Sequence, residues 1–199
     1  MTPSEKLSQE QGNGLINLAR KAIADRLQLP DNAPGRGDEA SEESSFNPVL
    51  LEKRGTFVTL KIKNQLRGCM GCLTPTETIL EGVQRNAINA AFNDPRFPAL
   101  TAEELQQADI EVSLLTEPQP LEYTEGDDLI AKLRPNIDGV ILQQGFSRAT
   151  FLPQVWEQLP RVEDFLAHLC RKAGLPDDAW QSGKIQVSRY QVQYFHEHK

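Results

Sequence analysis

Leu66-Arg67-Gly68-Cys69-Met70-Gly71-Cys72 gathers within seven residues the groups best suited to chemistry in this chain. Cys69 supplies a soft nucleophile if a neighbouring charge favours its thiolate. Arg67 supplies a planar fork that matches a carboxylate or phosphate. Gly68 and Gly71 admit backbone angles or close approaches that a Cβ forbids, and their amides could serve as oxyanion donors. Cys69 and Cys72 have redox-motif spacing, in which one thiolate attacks and a second resolves. They cannot form a closed zinc site alone, because four ligands are required and the third cysteine, Cys170, is distant in sequence. The competing reading makes Cys69 a small buried side chain in a glycine-rich segment. A base for the thiol is hard to find: His168 lies off the apolar stripe of its helix, and His196 and His198 sit at a terminus expected to fray. Glu111 is a distant choice for proton transfer.

Asn93-Asp94-Pro95-Arg96-Phe97-Pro98 is a second candidate segment. Its prolines stiffen a loop, Asp94 can cap, and Phe97 can plug a core. Arg96 could also join Arg67 in a cationic pocket for a small anion. Further on, Phe151-Leu152-Pro153-Gln154-Val155-Trp156 reads as a proline-started helix anchored by Trp156, with Gln154 the polar group there that could face a ligand. Gly145-Phe146-Ser147-Arg148-Ala149 is not a nucleophile elbow, because Ala149 replaces the final glycine.

In this order, the three segments resemble the AMMECR family, named after the Alport syndrome, intellectual disability, midface hypoplasia and elliptocytosis chromosomal region. Its bacterial members are called AmmeMemoRadiSam system protein A. The resemblance spans one domain, about residues 8–196, and implies a compact α+β fold with a main and a smaller lobe. It also implies association with a Memo-like protein and a radical-SAM protein. Arg67, Cys69, Asp94 and Arg96 all fall in matched motifs. Cys72 has no required counterpart in the family pattern.

Elements must position these groups. Ser8 and Gln11 have capping-box spacing before a helix whose Ile16, Ala19, Ile23 and Leu27 share a face. Residues 31–45 are acidic and aperiodic, and read as a mobile loop. Thr56 to Lys63 alternates as a half-buried strand leading into the cysteine motif, which places that motif on a strand edge or in the loop leaving it. Thr74, Pro75 and Glu77 announce a helix running to Ala91, and Thr101 with Glu104 caps a short one. Asp109 to Leu115 alternates as a strand, with Glu111 opposite Ile110, Val112 and Leu114. Arg161 to Lys172 is a helix stopped by Gly174, and Lys184 to Phe195 a final strand whose apolar phase shifts near Ser188-Arg189, suggesting a bulge. Helices and strands do not alternate regularly, so the fold class is α+β, a mostly antiparallel sheet flanked by helices.

Composition sets limits. A chain of 199 residues with net charge −7 is expected neither to grip nucleic-acid backbones nor to cross a membrane, since no apolar run has the needed length. The polar N-terminus and odd cysteine count lead to the expectation of a cytoplasmic protein with reduced thiols and neither metal nor cofactor. Two functions survive. One is an accessory or adaptor protein that presents the Arg-Gly-Cys-Met-Gly segment to a partner or small anion. The other is a cysteine-dependent enzyme, with Cys69 as nucleophile toward a small anionic or acyl-bearing substrate. A convergent acid–base group beside Cys69 would separate them.

Overall fold

The computed structural model describes residues 6–30 and 48–197 and divides into two compact units, one comprising residues up to Leu115 together with Gln193 onward, the other Thr116–Val192. The expected loop at 31–45 lies outside the described residues. The architecture is α+β, with two four-stranded antiparallel sheets and flanking helices.

In the first unit, α1 (Gln9–Arg26) opens with the Ser8–Gln11 capping box, both reciprocal hydrogen bonds being present. Strands β1 (Thr56–Ile62), β2 (Gln65–Cys72) and β3 (Ala108–Leu115) join β8 (Val192–His196) in the order β2-β1-β3-β8. The alternation of β1 and β3 puts Val58, Leu60, Ile110, Val112 and Leu114 on one face, all buried. That face packs with Leu15, Ala19 and Ile23 of α1 and with Val83, Ala87 and Ala90 of α2 (Ile79–Phe92). The opposite face carries Thr59, Lys61, Asp109, Glu111 and Ser113, with Phe57 among them.

Helix α2 starts four residues later than the Thr74-Pro75-Glu77 signal suggests. Thr78 is its N-cap, with Glu81 closing the capping box. A β-bridge between Lys53 and Thr78 keeps the chain extended to that point, and Ile79 N–H donates to Glu52 O at 2.9 Å. Tertiary pairing therefore selects the second of two competing cap signals. The short helix α3 (Ala102–Gln107) begins at Thr101–Glu104 as expected.

The second unit contains β4 (Gln119–Pro120), α4 (Gly126–Lys132), β5 (Gly139–Gln144), β6 (Ser147–Phe151), α5 (Val162–Lys172) and β7 (Gln186–Tyr190), with strand order β4-β7-β5-β6. Trp156 stacks on Phe165 and donates its indole N–H to Asp138 O at 2.7 Å, which anchors the 3-10 turn Pro153–Glu157. The shifted phase of the last strand is a change of sheet and not a bulge. Residues 186–190 belong to one sheet and 192–196 to the other, with Gln191 between them.

Candidate functional site on the outer sheet face

The cysteine motif is β2 itself, an edge strand. β1 and β2 pair in a register that sets Thr59 opposite Cys69 and Phe57 opposite Gly71, then shifts between Leu60 and Lys61. Across that shift Leu60 faces Gly68 while Lys61 faces Leu66, which leaves Arg67 as the extra residue of a β-bulge. The bulge re-aims the Arg67 side chain. Its Nε and Nη2 donate to the two Glu104 oxygens at 2.9 and 2.8 Å, and Nη2 also donates to Pro98 O at 3.0 Å. The Arg67 fork in turn lowers the Glu104 pKa.

Gly68 is required by packing. A Cβ there would lie 2.1 Å from the Ala90 carbonyl oxygen of α2, so the edge strand can approach the helix backbone only without a side chain. At Gly71 a Cβ would meet the Phe57 ring at 2.2 Å. Both glycines serve close approach, and neither has positive φ.

The outer edge of β2 is closed at Cys69 by the second motif. Cys69 N–H donates to Asp94 Oδ2 at 2.9 Å, and Arg96 Nη2 donates to Cys69 O at 3.4 Å. A carboxylate and a guanidinium thus occupy the places that an adjoining strand's carbonyl and amide would take. Asp94 is buried, at 4 % exposure, and also accepts from Arg96 N, Nε and Nη2 at 3.1, 2.9 and 2.7 Å. The Arg96 hydrogen bonds, helped by the Cys69 amide, hold the Asp94 carboxyl well below the usual carboxylate range despite its burial.

With Cys69 N–H turned outward, Cys69 and Thr59 form a non-hydrogen-bonded pair, the kind in which side chains approach most closely. Thr59 Oγ1 accordingly donates to Cys69 Sγ at 3.3 Å. Thr59 in turn faces Glu111 on β3, and Glu111 meets His196 of β8, with Oε2 3.3 Å from Nδ1. Cys69, Thr59, Glu111 and His196 therefore form one row across all four strands. Lys61, two residues from Thr59 on the same face, donates to Glu111 Oε2 at 3.0 Å. Glu111 is nearly enclosed, while the thiol is half-buried. Two strand spacings separate Glu111 from Cys69, about 10 Å, and three separate His196, about 14 Å.

Several expectations are corrected. Arg96, not Arg67, is the arginine in contact with Cys69. The two arginines do not join in one cationic pocket, because Arg67 turns to Glu104 and Arg96 to Asp94, although both lie over the Phe97 ring at 5.7 and 5.5 Å. Cys69 and Cys72 point to opposite faces of the strand with Cα atoms about 10 Å apart, too far for a disulfide. Cys72 Sγ instead meets Thr74 O at 3.5 Å. His196 is not frayed: its neighbour Glu197 pairs with the buried Arg20, and Glu197 N–H donates to Ile110 O at 3.0 Å. Gln154 is exposed on the second unit, near the start of the 3-10 turn. Sequence reasoning missed Thr59 and Lys61 and set His196 aside as frayed, although the alternation that places Thr59 and Lys61 beside Cys69 is readable from β1.

The comparison with known proteins decides the family. Residues 16–195 match the AMMECR1 family. The chain belongs to that family. Among its relatives, a protein of Methanothermobacter thermautotrophicus is 39% identical, the match covering 96% of each chain. Protein MJ0810 of Methanocaldococcus jannaschii is 37% identical over 96% of this chain and 92% of its own. The crystal structure of protein PH0010 from Pyrococcus horikoshii has a TM-score of 0.80 and 34% identity, covering 97% of this chain and 94% of that one. Among the described residues, no helix is long and apolar enough to cross a membrane, and no three His, Cys, Asp or Glu side chains cluster as metal ligands.

Proposed function

We propose that this AMMECR1 protein is an accessory or adaptor protein whose working surface is the outer sheet face and edge around Cys69. Its partners are a Memo-like protein and a radical-SAM protein, and the same surface takes a small anionic ligand. One observation carries this reading: the thiol is presented on a braced strand. Asp94 and Arg96 hold the backbone of Cys69, Thr59 holds its sulfur, and Arg67 is locked to Glu104. The group nearest the sulfur is the neutral Thr59 hydroxyl, which is no base for the thiol. A preformed, rigid surface of this kind lowers the ordering cost of association.

The alternative, a cysteine-dependent enzyme, draws support from the row itself. Glu111 meets His196 at Nδ1, and the imidazole is half exposed. That imidazole would have to act on a substrate extending about 14 Å from the sulfur, since contact with the thiol is out of reach.

Native co-purification tests the proposal. The tagged full-length protein, expressed at its natural level, is recovered from its own cells, and bound proteins and small molecules are identified by mass spectrometry. The expected result is enrichment of a Memo-like or radical-SAM protein. Failure of both to associate, under reducing and under oxidising conditions, counts against the adaptor.

A further inference from the structure

We infer that the β2 edge beside Cys69 is a carboxylate-recognition site formed by the Gly71 amide and the Arg96 guanidinium, with the Cys69 sulfur within reach of the bound molecule. The inference rests on the proposed function, and names the ligand class of that surface.

Strand alternation carries the first half. Because Cys69 N–H leaves the ladder to meet Asp94, the residue two positions on, Gly71, must also turn its N–H and C=O away from β1. Gly71 is exposed, and the Asp94–Arg96 brace closes the edge only at Cys69. Among the described residues the result is one open backbone donor at the end of a covered edge. Arg96 carries the second half. Its N, Nε and Nη2 are engaged, while Nη1 has no hydrogen-bond acceptor among the described residues and the side chain is 53% exposed. Its Nη2 already touches Cys69 O, the backbone group immediately before Gly71 N–H along the edge. A neutral amide and the remaining Nη1 of a guanidinium, both on the Cys69 edge, give one donor for each oxygen of a carboxylate. Gly71 also lacks the side chain that would crowd the approach, and the Phe57 ring lies in the place of its Cβ, an apolar floor for the ligand's carbon atoms. The carboxylate belongs either to a small metabolite-sized acid or to a peptide C-terminus, which could add a strand and take Gly71 C=O as well.

Paired alkylating probes read this directly in the full chain. Iodoacetate and iodoacetamide differ in little but the carboxylate. With either, Sγ attacks the methylene carbon, the C–I bond breaks, iodide leaves with the bonding pair and the thiol proton goes to solvent. Cys72, on the opposite face of the same strand, is the internal reference. The iodoacetate-to-iodoacetamide rate ratio at Cys69 is expected to exceed that at Cys72 by about tenfold, the effect of one charge-assisted pair of hydrogen bonds. Arg96→Lys keeps the charge but removes the Nη1 donor, and is expected to lower the ratio at Cys69 several-fold. In the unaltered protein, sodium acetate protects Cys69 and not Cys72 if the site takes small acids. If it takes peptide ends, only a tripeptide acid protects, and its C-terminal amide does not. Equal ratios at the two cysteines, or no protection by either acid, overturn the inference. Neither result bears on whether a partner protein is captured, so the two proposals fail separately.

Discussion

Asp94→Ala removes the carboxylate that closes the β2 edge, and its cost can be built from the contacts. Asp94 accepts four hydrogen bonds, one from Cys69 N–H and three from Arg96. Losing the first orphans a strand amide on the covered side of the edge, worth about 1–3 kcal/mol. The Arg96 side chain is half exposed and rehydrates on losing its partner, so that ion pair adds only about 0.5–1 kcal/mol. The sum is about 1.5–4 kcal/mol, a fall of about 0.5–2 M in urea midpoint at a slope of about 2–3 kcal/mol per molar. The pH dependence follows from the lowered pKa of Asp94, caused first by Arg96. A carboxyl depressed in the folded state contributes stability that is fully present above the unfolded pKa of about 3.9 and is lost as pH falls through the folded value. The gap between the parent and Asp94→Ala should therefore be constant from about pH 5 to 8 and close progressively below about pH 4. Urea denaturation at several pH values, with hydrogen exchange of the Cys69 amide, checks both parts. An unchanged midpoint together with an unchanged Cys69 exchange rate would refute the brace.

Four further outcomes are expected. Gln28 ends α1 in the left-handed region at φ 58 and closes the motif with bonds from Leu29 N–H to Ala24 O and Gln28 N–H to Asp25 O, so Gln28→Gly should stabilise by about 1 kcal/mol. The equivalent position after α5 is already Gly174 at φ 75, and Gly174→Ala should cost about 1 kcal/mol; thermal melts of both variants read the opposite signs. Gly68→Ala drives a methyl into the Ala90 carbonyl and should cost about 3 kcal/mol, measurable as a lowered urea midpoint, whereas tolerance would mean that β2 can lift off α2. Mild oxidation of the folded protein should give no Cys69–Cys72 disulfide by peptide mass mapping, because the two thiols leave the strand on opposite faces.

Much of the fold was legible because its signals are local. The Ser8–Gln11 and Thr101–Glu104 capping boxes and the alternation of β1 and β3 need only neighbours a few residues apart. Gly174, stopping α5, is likewise a local stop signal. The start of α2 was not legible, because two cap signals compete and a bridge to Lys53, more than twenty residues upstream, decides between them. The order of His196 was hidden for the same reason. It depends on Arg20, near the other end of the chain, holding Glu197 from the interior. At the site, Arg67, Cys69, Asp94 and Arg96 could be singled out by residue type, and Asp94 and Arg96 do meet Cys69. Their pairing could not be read, because a single bulge residue decides that Arg67 turns to Glu104. The polar row from Cys69 to His196 requires the order of all four strands, which no local pattern encodes.

The outer sheet face as a partner surface is the central claim, and a titration tests it most directly. Purified Memo-like and radical-SAM proteins are titrated in turn, by calorimetry, with the parent protein, with Thr59→Arg and with Phe146→Ser. Thr59 lies in the middle of the polar row, and an arginine there projects a long charged side chain from the face. Phe146 is fully exposed at the tip of the β5–β6 hairpin of the second unit and serves as the control. With folding of each variant verified by its thermal melt, Thr59→Arg should weaken binding of at least one partner by tenfold or more, about 1.4 kcal/mol, while Phe146→Ser binds as the parent does. Equal binding by the parent and Thr59→Arg would contradict the account.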